Sequence, residues 1–427
     1  MKKQFLILLM VLPLLAGASC KREPEPDPLK PNYHASRYPT KLSVVWHVPF
    51  HSDSIGDRFL NPLLTKDYLI LSNRWDDIEN KRRGIGVFHK LTGKRHAAWL
   101  DDPGGILDFN DRLLDCKIGG VNNDIIFVSN RYRIYAFDLN TKQRLWKTAI
   151  SDEGAALSYI SIVGGKPFLA YSFYDDTRAR LARFDIQSSQ KEDIIELLTE
   201  DNYPGSIRPL EWLVAGNGDT LLFFTTSEWN FITTRGRIKA YCYNLTQREI
   251  VWKKSDFSVD HDAGVFPPIV TNEQNILMFG ARSIHCFNIA TSELLWQYDY
   301  SAVETFSFTP PLYRNGKLYM REDTGILYCY DAATGTELWS NKTINAIPAP
   351  HGSMDIYDGY LYFSGWRESE IGLYCVSAHT GELRWFDQGP NGVISYGVLV
   401  DQNLGYLYCQ SGIFVMCIDL KKTPVSQ

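Results

Sequence analysis

A closed ring of eight four-stranded antiparallel sheets, all β in class, is what this sequence predicts. Three observations carry the expectation. A thirteen-residue pattern recurs, most clearly at 284–296 (IHCFNIATSELLW), 327–339 (LYCYDAATGTELW), 373–385 (LYCVSAHTGELRW) and 134–146 (IYAFDLNTKQRLW). The chain is rich in the aromatic residues that fit a pleated surface, with 24 Tyr, 22 Phe and 11 Trp in 427 residues. Its two ends also complement each other: the last repeat lacks a final strand, and the first strand lacks a repeat.

The N-terminus comes first. Lys2 and Lys3 precede a short apolar run, followed by Gly17, Ala18, Ser19 and Cys20. That is the layout of a secretory signal, residues 1–19, and the run is too short for a spanning helix. Cys20 after small residues resembles the lipobox of bacterial lipoproteins, which implies acylation of its thiol. Gly17 stands where that motif usually has Leu, which leaves ordinary cleavage after Ala18 as the alternative. Residues 20–41, dense in Pro and charge, read as a stiff extended tether. Lys21 after the Cys resembles lipoproteins sent to the outer membrane. The charged stretch resembles the surface-export signal of some lipoproteins, so a periplasmic or surface-facing position stays open.

The repeats follow. Segment 238–252 is a fifth copy, 87–99 a weaker sixth, 181–195 keeps the Phe-Asp step without the Trp, and 414–420 offers one strand only. Each copy reads as strand, tight turn, strand. Alternating apolar residues give the period of two, and Asp/Asn with Thr-Gly supplies the turn. Two further short strands precede most copies, as at 311–313 and 317–320. Four antiparallel strands in each recurring unit are the pattern of a β-propeller blade. The last blade has strands near 395–400, 406–409 and 414–419, and its missing fourth is available at 42–48 (LSVVWHV). Pairing it there closes the ring and removes an exposed edge. One propeller over 42–420 and a tail over 421–427 result.

The Tyr-Cys-Tyr-Asp-x-x-Thr-Gly-x-x-x-Trp run resembles the repeat of pyrroloquinoline-quinone-like propellers. That family holds quinoprotein dehydrogenases and cofactor-free members. Length, blade number and anchor resemble the BamB-like branch, the propeller lipoproteins of outer-membrane β-barrel assembly. Seven tryptophans (46, 99, 146, 252, 296, 339 and 385) occupy the repeat position, and the resemblance implies that they wedge between blades.

Cys242, Cys286, Cys329, Cys375 and Cys417 share one slot of the repeat, filled by Ala136 in another blade. Equivalent positions on neighbouring sheets lie about 10 Å apart, too far for a disulfide. Five unpaired core thiols are therefore expected, while a Cys116–Cys409 pair stays open.

Trp75, Trp229 and Trp366 each follow a second strand, in the loop to the third. Those loops and the blade-to-blade crossings emerge on one face. With Arg74, Glu228 and Arg367 they form a candidate partner-binding surface, aromatic anchors among charges. Each ring folding over its own loop is the alternative.

The net charge of −5, without a Lys/Arg run, excludes a nucleic-acid binder. Asp260, His261 and Asp262 are three consecutive residues, which rarely converge on one ion. No phosphate loop, His-Glu-x-x-His or nucleophile elbow occurs. No catalytic residue, metal or cofactor is therefore expected, and the reading is a non-catalytic scaffold lipoprotein binding an envelope protein. A glycan-binding surface lipoprotein and a quinone- or metal-dependent enzyme are the alternatives.

Overall fold

The computed structural model describes residues 40–50, 62–73, 84–100, 113–150, 157–173, 177–199, 205–230, 235–255, 266–280, 282–299, 309–322, 324–344, 347–348, 352–367, 370–390, 394–411 and 414–425. Cys20, the signal and tether up to residue 39, Arg74, Trp75 and the Asp260–His261–Asp262 cluster lie outside them. All regular structure among the described residues is β.

Eight antiparallel sheets follow one another along the chain. Blades 1, 2 and 3 span 63–100, 113–149 and 157–198, and blades 4 and 5 span 205–254 and 269–299. Blades 6 and 7 span 312–341 and 347–387. Blade 8 is built from Ile394–Asp401, Tyr406–Ser411 and Phe414–Asp419, with Val44–Pro49 as its outer strand. The N-terminal strand thus closes the ring, pairing Trp46 with Cys417 and Pro49 with Phe414.

The core is divided. Eight apolar clusters each join one blade to the next, from blades 1–2 round to blades 7–8 and 8–1. The sequence dictates this because both faces of each sheet are buried. Strand Asn275–Phe279 is buried at every position, as is Ile125–Asn130. Such strands lose the alternation of a one-sided sheet.

The repeat residues now have physical roles. Asp138, Asp185, Asn288 and Asp331 each accept from the backbone N–H two and three residues on, forming the turn before the fourth strand. The small slot faces the tryptophan across the sheet: Cys242 opposite Trp252, Cys286 opposite Trp296, Cys329 opposite Trp339 and Cys375 opposite Trp385. One residue before each of these rings the fourth strand bulges. A bulge kinks the outer edge and opposes pairing with another chain.

All seven described cysteines are free and buried. Cys116 sits in the seam of blades 1–2 and Cys409 in that of blades 7–8, so the pair left open by the sequence does not form.

Six indole N–H groups reach the next blade. Trp46 donates to Lys90 O (3.0 Å), Trp146 to Ile186 O (2.6 Å) and Trp252 to Ile289 O (3.3 Å). Trp296 donates to Ala332 O and Trp339 to Ala378 O, both at 3.2 Å. Trp99 is a correction to the expected pattern. Ala97 occupies the repeat position opposite Val87, and Trp99 stands two residues further along, opposite Ile85. From there it reaches Lys142 O, while His96 Nε2 takes the usual contact with Leu139 O at 2.8 Å. At the closing seam the buried Trp385 N–H has no acceptor among the described residues.

Candidate binding face

In each blade, antiparallel pairing puts the second-to-third hairpin at one end of the ring and the other two turns at the opposite end. Among the described residues, blades 4 and 7 have the longest arms at the hairpin end, ahead of the 7-residue arms of blade 3. In blade 4 the hairpin arms are Thr220–Asn230 and Arg235–Asn244, 11 and 10 residues long. In blade 7 they are Tyr360–Arg367 and Glu370–Ser377, 8 residues each. Blades 5 and 6 use arms of 5 or 6.

Both long hairpins are backed in the same way. The inner strand breaks into two pieces that pair with the same second strand: Gly205–Ile207 and Glu211–Val214 in blade 4, Ile347–Pro348 and Met354–Tyr357 in blade 7. The outer piece carries the pairing towards the tip, so each hairpin continues as a three-stranded ribbon; in blade 4 that piece is buried, with Ile207 in the core shared with blade 3. Gly205 permits this in blade 4, since a Cβ there would lie 2.3 Å from Thr199 Cγ2.

Trp229 and Trp366 therefore lie within second strands, opposite Gly236 and Ile371, rather than in the loops expected from sequence. The difference arises because polar, Gly-containing stretches at 227–237 and 365–372 continue the ladder past the blade. Trp366 is 43% exposed near the ribbon tip, a large apolar ring facing solvent. Arg367 ends the same strand, opposite Glu370.

Glu228 is held inside the ribbon base. It is buried, and its carboxylate accepts from Lys239 Nζ at 2.8 and 2.9 Å and from Arg237 Nε at 2.7 Å. A buried carboxylate with two cations is costly to disrupt, which suits a rigid base better than an adaptable contact. Burial, then the Glu228 charge, pushes the neighbouring Tyr241 hydroxyl up to about 12, so it stays protonated.

Sequence reasoning passed over Arg321. It ends the second strand of blade 6, lies over the Phe363 ring at 4.4 Å and donates to Ser364 O at 2.9 Å. Burial lowers its pKa to about 9, which leaves it a cation at neutral pH. The guanidinium thus ties blade 6 to the base of the Trp366 ribbon. Its one sequence signal is a charge two residues past Tyr319, where blade 7 has Ser364 two residues past Tyr362.

Among the described residues, no group of three His, Cys, Asp or Glu is placed to hold a metal ion. Of the two ribbons, that of blade 7 carries an exposed aromatic ring, Trp366.

Known proteins align with this geometry at the level of fold. The family model described as outer membrane protein assembly factor BamB matches residues 234–390. The crystal structure of BamB from Moraxella catarrhalis superposes with a TM-score of 0.60 at 12% identity, covering 89% of this chain and 98% of that one. A europium-containing methanol dehydrogenase gives 0.62 at 12% identity, over 88% of this chain and 85% of its own. Quinohemoprotein alcohol dehydrogenase ADHIIG from Pseudomonas putida HK5 gives 0.59 at 11%, over 94% and 79%. No curated protein matches significantly in sequence. Residues 234–390 carry the repeat of the BamB family model, and the chain as a whole has the fold of a PQQ-like β-propeller.

Proposed function

We propose that this protein is a non-catalytic scaffold of the bacterial outer envelope, anchored through an acylated Cys20, which grips a protein partner with the ribbons of blades 4 and 7. The observation that carries the reading is the exposed Trp366 on the three-stranded ribbon of blade 7. Aromatic rings on a rigid support give contact area at little entropic cost, the usual make-up of an interaction hot spot. The BamB family match over residues 234–390 supports a role in outer-membrane protein assembly. The fold is shared with dehydrogenases, so function rests on the site and not on the ring.

Membrane fractions treated with a mild crosslinker, followed by purification of this chain, test the reading. An envelope protein captured in stoichiometric amount, with no visible chromophore, is expected. A bound quinone with dye-linked alcohol oxidation would overturn it in favour of an enzyme. Glycan binding on a sugar array without protein capture would overturn it in favour of a lectin.

A further inference from the structure

The turn before the fourth strand is complete in blade 8, yet the chain is cut inside it. In blade 6 Asp331 N donates to Thr336 O at 2.9 Å and Gly335 N to Asp331 O at 2.8 Å. In blade 7 Ser377 N donates to Glu382 O at 2.9 Å and Gly381 N to Ser377 O at 2.8 Å. Blade 8 makes both bonds with two chain ends: Asp419 N donates to Ser43 O at 2.8 Å, and Thr423 N to Asp419 O at 3.0 Å. Thr423 thus stands where Gly335 and Gly381 stand, and Ser43 where Thr336 and Glu382 stand.

In blades 6 and 7 a peptide bond joins those two positions. Here Ser43 N donates to the Thr423 hydroxyl at 3.1 Å instead, and that hydroxyl donates to Asp419 O at 2.8 Å. Thr423 is 4% exposed, so its hydroxyl works away from competing water.

Local backbone chemistry accounts for the cut. In the other seven blades the fifth residue of this turn has φ between 58° and 74°, a left-handed step that sends the chain back into a strand. Thr423 has no positive φ. It is β-branched, which disfavours that step, and Pro424 biases the residue before it towards extended backbone. The chain therefore runs on past the blade, and Val425 packs against the apolar cluster between blades 7 and 8.

We propose that residues 420–425 are a clip that locks the ring shut, the Thr423 hydroxyl standing in for the covalent link between the last turn and strand Val44–Pro49. The entering chain is also held by blade 7, where Thr40 Oγ1 and Lys41 N donate to Asp387 at 3.0 and 2.8 Å. A pull on the chain ahead of Thr40 meets both holds before it reaches the strand. Local opening of the ring at blade 8 then starts with release of the clip, and it bares the edge of that blade. The inference does not depend on what the ribbons bind.

Hydrogen exchange of the full-length protein, read by mass spectrometry, tests the clip with three variants. Thr423→Val removes the hydroxyl and keeps the shape, so amides of residues 44–48 should exchange about fivefold faster, the worth of one net hydrogen bond. Thr423→Ser keeps the hydroxyl and should exchange close to the parent. A chain ending at Leu420 loses the clip and should exchange at least about tenfold faster over the same residues. Amides of the second strand of blade 4, across the ring from the cut, should keep the parent's rate in every variant. Parent-like exchange at 44–48 in Thr423→Val, a Thr423→Ser rate equal to that of Thr423→Val, or an equal acceleration in blade 4 would each overturn the proposal.

Discussion

Trp339 in blade 6 donates its indole N–H to the carbonyl of Ala378 in blade 7 at 3.2 Å, and neighbouring seams repeat the bond. The closing seam does not: Trp385 N–H is buried without an acceptor among the described residues. Leu42, from the segment that enters to close the ring, shares the cluster holding Trp385 and Leu420. Replacing Trp by Phe removes the N–H and keeps a ring. We expect Trp339→Phe to cost about 1 kcal/mol more than Trp385→Phe, the net value of one hydrogen bond. Urea denaturation of the two variants side by side measures it, and equal losses would show that these bonds do not latch the blades.

The turn beneath that bond makes a second demand. Gly381 has φ +74°, and a Cβ on it would lie 2.5 Å from the Trp339 ring. Gly381→Ala therefore combines left-handed strain with overpacking and should cost about 2–4 kcal/mol. Ser292 holds the same turn position in blade 5 at φ +58°. Ser292→Gly should stay within about 1 kcal/mol of the parent, because relieved strain offsets added chain entropy. Thermal melts of both variants provide the comparison.

Ring closure gives a third expectation. A chain lacking residues 44–49 leaves blade 8 with three strands and strips Trp46 from its seam with blade 1. It should unfold at lower denaturant than the parent and self-associate through the open edge, visible by light scattering. A parent-like midpoint with no association would contradict closure by this strand.

The thiols report on packing. Burial pushes Cys242 and Cys286 up to about 12, and Cys116 likewise. Native alkylation should therefore stay slow between pH 7 and 9, where a free thiol becomes reactive. Denaturation without reductant should expose all seven described cysteines to label. Because the folded values are raised, this contribution to stability is complete below about pH 9 and is lost as pH rises towards 12. Thiols that label only after reduction would contradict the free, buried state.

Much of this was legible in the sequence, for a definite reason. The Cys–Trp pair, the Asp turn and the bulge recur because each blade solves the same packing problem, so periodicity exposes them. The closing strand was legible because the missing strand of blade 8 and the orphan strand at 42–48 answer each other. What escaped was aperiodic. Trp99 stands ten residues past the turn residue His89, against eight from Asp331 to Trp339, and so lies two positions beyond the repeat register, with His96 taking the usual contact. The stretches around Trp229 and Trp366 read as loops, since polar and glycine residues mark turns when no extra inner strand is foreseen. Arg321 and the Glu228–Lys239 pair are contacts across strands or blades, which no single window of sequence displays.

The account rests most heavily on the ribbon face as the place where a partner is held. Replacing Trp75, Trp229 and Trp366 together by Ala, followed by crosslinking and capture from envelope extracts, tests it most directly. Each anchor ring is worth about 2 kcal/mol or more where it fills a pocket, so loss of the three should weaken capture by well over a hundredfold. The expected result is a variant with the parent's melting profile and no captured partner. Full retention of the partner by that folded variant would contradict the account and move the site to the opposite face or the channel.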